Sequence, residues 1–456
     1  MRHIKLGFAL AVSVLLTACG SDTKNDPIDA STPNPSMIRV VHASADAPTV
    51  DINANGALFG GLAGVDYQMA SGLATIPTAN YTIDVIANTA GGQATVLNTT
   101  FSSSPDVMYN FLAVGSVADG TLELMRLGSR PAADVAGITQ VQIVHAAPAA
   151  PTVDIYVTAP GADIAAEQPL ATASYKDATS LVAVPSGDYQ IRITPAGSTT
   201  VVFDSGTVEL ASMENLLVAA TPNTGPGDSP VQLVVAGKTA STVVSDVNTP
   251  AAIRVIHAVA DAPAVDVIAN NALTLFDGAP YLGVTDYAEV AGATYLIDVA
   301  ADADNSIVVI DDASVPLMAG MTYTAIANNT LAGIQLDLQT DMPRHVATDA
   351  QVRIIHASPA AGAVDIYVTA DGNIDAVTPD FANVPFTAGD LAETGYVSLP
   401  PGDYVVTVTP TGTSTVALET GTLSLMGGKI YTALAVDATG GGAPVGLILA
   451  DDFVMQ

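Results

Sequence analysis

The sequence predicts an all-β protein, four tandem antiparallel β-sandwich domains behind an N-terminal export signal. Three observations carry this. The 456-residue chain is 49% apolar yet holds 38 Gly and 28 Pro, a composition of short strands punctuated by turns. One motif opens four successive stretches of about 100 residues, the size of a whole domain rather than of a propeller blade or solenoid turn. Past the leader, no segment keeps the 3.6-residue apolar period of a long helix.

The leader comes first. Arg2 and Lys5 precede an apolar run over 6–16. That run is too short for a membrane-spanning helix, which needs ~20 apolar residues, and it reads as a secretory signal peptide over 1–18. It ends in Leu16-Thr17-Ala18-Cys19-Gly20, which resembles the lipobox of bacterial lipoproteins. The resemblance implies a lipidated Cys19, anchored stably where two or more acyl chains are attached. Gly20 in place of an Asp implies sorting to the outer membrane of a cell envelope, facing either outward or into the periplasm. Residues 19–36, polar and Pro-rich, read as the lipidated Cys and a flexible tether.

Composition narrows the function classes. A net charge of −32 on 13% charged residues is too acidic for nucleic-acid binding, which needs clustered Lys and Arg. The chain is too apolar for disorder. With Cys19 as its single Cys and no Trp, it has neither a disulfide framework nor a Cys-based zinc site.

The four units open on Ile38-Arg39-Val40-Val41-His42-Ala43, Val141-Gln142-Ile143-Val144-His145-Ala146, Ile253-Arg254-Val255-Ile256-His257-Ala258 and Val352-Arg353-Ile354-Ile355-His356-Ala357. Nine residues after each His stands an Asp: Asp51, Asp154, Asp266 and Asp365. Units one and three share Ala-Asp-Ala-Pro after the His; units two and four share Asp-Ile-Tyr-Val-Thr-Ala and a Pro-x-Gly-Asp-Tyr turn. The layout is therefore A-B-A-B. Expected domains are 37–128 and 251–341 (type A), and 140–237 and 350–452 (type B). Short connections over 129–139, 238–250 and 341–350 favour a semi-rigid rod or paired domains. In unit two, strand-like runs fall at 141–146, 153–157, 180–184, 189–194, 200–203, 206–210, 216–220 and 231–235. Such spacing suits an immunoglobulin-like sandwich, and Asn55-Gly56 signals a tight hairpin in unit one.

The combination Val-His-Ala-Ser-Pro-Asp-Ala-Pro followed by Val-Asp-Val-Tyr-Val resembles the bacterial surface-protein family known as domain of unknown function 4397. Unit four carries it as His356-Ala357-Ser358-Pro359-Ala360-Ala361, then Val364-Asp365-Ile366-Tyr367-Val368, with the family's later turn at Leu399-Pro400-Pro401-Gly402-Asp403-Tyr404. Ala149 and Ala360 replace the motif's Asp, Gly362 its second Pro, and Asn53 and Ile268 its Tyr. The resemblance implies a β-sandwich on an exported protein and brings no activity.

Strand parity assigns the repeated polar pair. Ile38, Val40 and His42 share one face and Arg39 and Val41 the other, while Asp51 lies opposite Val50 and Ile52. His42, His145, His257 and His356 are therefore expected to cap the core and bond turn backbone. Asp51, Asp154, Asp266 and Asp365 are expected to accept loop amides. A metal or ligand role is the alternative, though one His and one carboxylate per unit are few for a closed site. A catalytic dyad is remoter, since no nucleophile repeats with it. Asp302 and Asp304 start like a calcium loop but lack its Gly and Glu, leaving a loosely held Ca²⁺ as a weak alternative to a solvated turn.

The expected function is non-enzymatic: a lipid-anchored envelope protein presenting tandem domains for adhesion, matrix contact or envelope organisation. Its partners would be the membrane through the anchor and a cell-surface, matrix or envelope protein or glycan. A solute- or glycan-binding lipoprotein is the second reading, for which Tyr67, Tyr156, Tyr287 and Tyr367 could line a groove between paired A and B units. A hydrolase is the remote third.

Overall fold

A computed structural model describes residues 34–452. The leader, Cys19 and most of the tether lie outside the described residues. Helix is confined, among those residues, to three 3₁₀ turns, and none is long and apolar enough to cross a membrane.

Each unit is two stacked sheets. In unit one the first sheet runs Ala74–Ile76, Ser36–His42, Met108–Val114, Glu123–Ser129, and the second Ala57–Leu58, Val50–Ala54, Asn80–Thr89, Gly92–Ser102. Unit three repeats this order, and units two and four vary it by one added strand each. Pairing is antiparallel except at one place per unit, where the opening strand runs parallel to a late one. Ile38 faces Tyr109 and His42 faces Ala113, with the same match in the other three units. The chain crosses to the second sheet and back between these strands, which gives it the length a parallel pair requires. The expected Asn-Gly hairpin forms: Asn55 and Gly56 both take positive φ, 51° and 78°, as the tight primed turn demands.

Strand limits follow the apolar alternation, with three differences in unit two. The runs at 200–203 and 206–210 are one strand, Phe203–Leu210; Ala171–Ala173 joins a sheet edge; and Ser241–Val244, inside the expected connection over 238–250, pairs with Val231–Ala236 as a fifth strand.

The face of each opening strand that carries the His enters a sandwich core. In unit one Ile38 and Val40 pack with Ile52, Val85 and Phe111. The opposite face is buried too. Val41, Ala43 and Leu112 of unit one pack against Val144, Leu217 and Val234 of unit two. Ile256 and Ile326 of unit three pack against Ile355, Leu434 and Ile448 of unit four. Each A unit therefore lies sheet-to-sheet on its B unit, as in a sandwich of sandwiches. The paired arrangement, one of the two that the short connections favoured, is the one adopted.

The two pairs also touch. Arg344, in the connection between units three and four, donates to the carbonyls of Ala47 at 2.9 Å and Ala45 at 3.3 Å and to Asp66 at 2.5 Å. Gly227 N donates to Glu289 of unit three at 2.9 Å.

Candidate functional site

The repeated His is built the same way four times. His42 Nε2 meets the Pro48 carbonyl at 3.0 Å, His145 that of Pro151 at 3.1 Å, His257 that of Pro263 at 2.9 Å and His356 that of Gly362 at 2.6 Å. A carbonyl only accepts, so Nε2 carries the proton and Nδ1 is an acceptor. Nδ1 of His145, His257 and His356 takes the backbone N–H two residues on. An aromatic ring stands edge-on beside each His: Tyr67, Tyr175, Tyr281 and Phe386. Burial holds His42, His257 and His356 below the ordinary histidine pKa, hence neutral. The motif's second Pro is thus the His acceptor, and Gly362 keeps that bond where unit four departs from the family pattern.

The repeated Asp ties loops. Asp51 accepts from Gly64 N at 2.8 Å and Asn88 at 2.9 Å; Asp154 from Gly197 N at 2.7 Å; Asp266 from Gly278 N at 2.7 Å; Asp365 from Asn383 N at 2.7 Å and Gly412 N at 2.8 Å. His and Asp thus serve different backbone groups in every unit. The motif's earlier Asp has a similar task. Asp46 takes the N–H groups of Val117 and Ala118, and Asp261 that of Leu331. The Tyr of the Pro-x-Gly-x-Tyr turn bonds back to the carbonyl four residues upstream, Tyr189 to Pro185 and Tyr404 to Pro400, in the manner of a tyrosine corner.

The expected calcium residues separate. Asp304 accepts from Ser306 at an exposed turn. Asp302 instead groups with Asp266 and Asp277, and Asp298 with Asp311 and Asp312. Asp304 joins neither group.

The polar residues on the face opposite the His went unassigned at the sequence level. At the interface of units three and four, Arg254 reaches Asp451 at 2.6 Å and Arg353 reaches Asp341 at 2.5 Å. Each arginine belongs to one unit and its carboxylate to the other, an exchange with the reciprocity of a two-fold interface. Arg254 lies over Tyr287 at 4.7 Å and Arg353 over Tyr396 at 4.6 Å. Burial alone would lower Arg254; Asp451, Tyr287 and Asp341 more than offset it. Desolvation pushes the Tyr396 hydroxyl up to about 12. The available signal was an Arg alternating with Ile or Val on a face that is otherwise apolar.

Beside this network opens a cavity of about 550 Å³, lined by Tyr287, Tyr396, Glu289, Asp341, Asp451 and His345 among others. Of the four tyrosines considered as groove residues, Tyr287 lines it. Tyr67 is buried with its hydroxyl on the Pro222 carbonyl at 2.5 Å, and Tyr156 and Tyr367 are buried strand residues.

The family model described as domain of unknown function (DUF4397) matches residues 36–156 and 251–367, just over half of the chain. Each match begins at the opening strand of an A unit and ends on the second strand of the following B unit. No curated protein matches the chain. Among solved structures, the Bacillus anthracis TIE protein is similar at 11% identity over 86% of this chain and 69% of that one, with a TM-score of 0.15, a likeness too slight to bear on the fold.

Proposed function

The chain belongs to the DUF4397 family, and we propose that it is a non-enzymatic, lipid-anchored protein of the cell envelope. In this reading its two domain pairs form a stiff body that presents an acidic surface for adhesion, matrix contact or envelope organisation. The observation that carries the proposal is the use of the repeated motif. In all four units the His is bonded to a carbonyl and the Asp to loop amides, so the most repeated polar residues are architecture. The buried second faces of the opening strands make each A·B block one thick unit, suited to a spacer or a multivalent display. Cys19 would hold it to the membrane, and sixteen tether residues would span roughly 20–24 Å.

Two measurements test this. Palmitate labelling should mark the wild-type chain and fail on Cys19→Ala. Protease shaving of intact cells, with a periplasmic marker as control, decides the side. Cleavage from whole cells supports outward display. Protection until the outer membrane is opened sinks adhesion in favour of periplasmic scaffolding.

The cavity beside units three and four favours a second reading, a solute- or glycan-binding lipoprotein. Half-exposed Tyr287 offers a ring, and Glu289 and Asp452 offer acceptors at its rim. Saccharide titration of the chain and of Tyr287→Ala by calorimetry separates the two: heat lost in the variant would establish a site, and no heat in either would leave the architectural reading alone.

A further inference from the structure

A second cavity, of about 270 Å³, opens between the two sheets of unit one, away from the junction cavity. Its wall is aliphatic, with Val50, Val85, Leu97 and Leu122, and it carries no Asp, Glu, Lys or Arg. Besides Thr89, whose hydroxyl donates to the Gly92 carbonyl at 2.7 Å, two polar residues line it, His42 and Thr348. Both hold a buried atom without a hydrogen-bond partner, His42 Nδ1 and Thr348 Oγ1. This sets unit one apart, because Nδ1 of the other three repeated histidines is bonded to a backbone N–H. Because Nε2–H of His42 is spent on Pro48, its Nδ1 can only accept, whereas the Thr348 hydroxyl can donate or accept. Thr348 comes from the connection between units three and four, so the wall is complete only when the two pairs dock. Arg344, whose charge reaches His42, is already held by Asp66 and two carbonyls and is not on the wall.

We infer that this cavity is a binding site for a small neutral amphiphile, an aliphatic chain bearing one hydroxyl. The aliphatic wall takes the chain, as dry apolar cavities take apolar guests. The hydroxyl answers the polar atoms that burial otherwise leaves unpaired. A carboxylate head is disfavoured, because its charge would be buried with no cation on the wall.

The test is calorimetric titration of the full chain carrying Cys19→Ala, which needs no detergent, with octanol and with octanoate at neutral pH. Octanol should bind once per chain and octanoate at least about tenfold more weakly. Thr348→Val should weaken octanol by about tenfold, since it removes one hydroxyl and little volume. Ala94→Phe at the cavity mouth should abolish binding, with Val96→Phe as a second plug should the first variant melt early. No heat with octanol, or undiminished binding in a folded plugged variant, overturns the site. Equal affinity for octanoate overturns the neutral head group, and an unchanged Thr348→Val overturns the polar contact.

Discussion

The two A·B interfaces use the same aliphatic seal but opposite polar solutions. Between units three and four, Arg254 and Arg353 each meet an aspartate of the other unit. Between units one and two, Arg39 is fully buried yet bonds a carbonyl, that of Asn215, at 2.8 Å. Its Nε and Nη1 have no partner. Strand register places Ser129 where the third unit has Asp341. Gln142 stands where unit four has Arg353, and it takes an amide bond from Asn110 at 3.0 Å. Desolvation drops the Arg39 pKa to about 10, with Glu214 only partly opposing, whereas Arg254 is raised. The difference teaches that the fold specifies the apolar contact, while the polar centre of the interface is free to vary between a matched charge pair and a tolerated lone cation.

Breaking the matched side should have the largest effect. Asp341→Ala leaves Arg353 with Glu393 at 3.7 Å as its carboxylate partner and takes an acceptor from Tyr287 and Thr324, so the second pair should lose about 3–5 kcal/mol. Denaturant unfolding that shifts by under about 1 kcal/mol would mean the exchange contributes little beyond its aliphatic frame.

Next in size is the repeated cap. His257→Ala deletes a buried ring and leaves the Pro263 carbonyl unpaired, and should cost about 2–4 kcal/mol. An unchanged melting temperature would argue that the ring is there for something other than stability.

The sharpest contrast is the same substitution at the two equivalent arginines. Arg254→Met should destabilise by about 3 kcal/mol, leaving the Asp451 carboxylate, 14% exposed at the edge of the interface, unpaired. Arg39→Met should be neutral or stabilising by about 1 kcal/mol or more, because a lone buried cation gives way to an apolar chain of similar length. Equal losses at both sites would erase the distinction.

A pH effect should follow from the neutral histidines. Their folded pKa values lie below the unfolded value near 6.5, so the unfolded chain binds more protons as pH falls through that value. Stability should fall as pH drops below about 6.5, with a limiting slope of ~1.4 kcal/mol per pH unit for each fully affected His. Urea midpoints at pH 7.5 and pH 5.5 read this out, and a flat profile counts against buried neutral rings.

The smallest expected effect is at the joint between pairs. Arg344 and Asp66 are partly solvated, so Arg344→Ala should cost about 1 kcal/mol or less. Small-angle scattering should nevertheless show a looser particle, and an identical scattering curve would place the joint elsewhere.

Much of this was legible in the residues. The fixed His-to-Asp interval and the alternation of Ile38, Val40 and His42 against Arg39 and Val41 put the two polar residues on different faces, where the structure has them. The tyrosines were less legible, since a strand Tyr in sequence is equally a core residue, like Tyr67, or a cavity wall, like Tyr287. The polar interface was the hardest to see, because Asp341 opens the stretch read as a connection over 341–350, and Asp451 ends the last strand, far along the chain from Arg254.

By itself, the sequence determined the repeat, its A-B-A-B alternation, the strand periods and the turn chemistry, because these depend on local sterics and on intervals along one chain. Only the tertiary structure decided that the opening strand is parallel to a late one, that its second face is an interface, and which buried arginine meets a carboxylate. Those outcomes depend on residues distant in the chain being desolvated together, and the free energy of a buried face or charge belongs to what lies across from it.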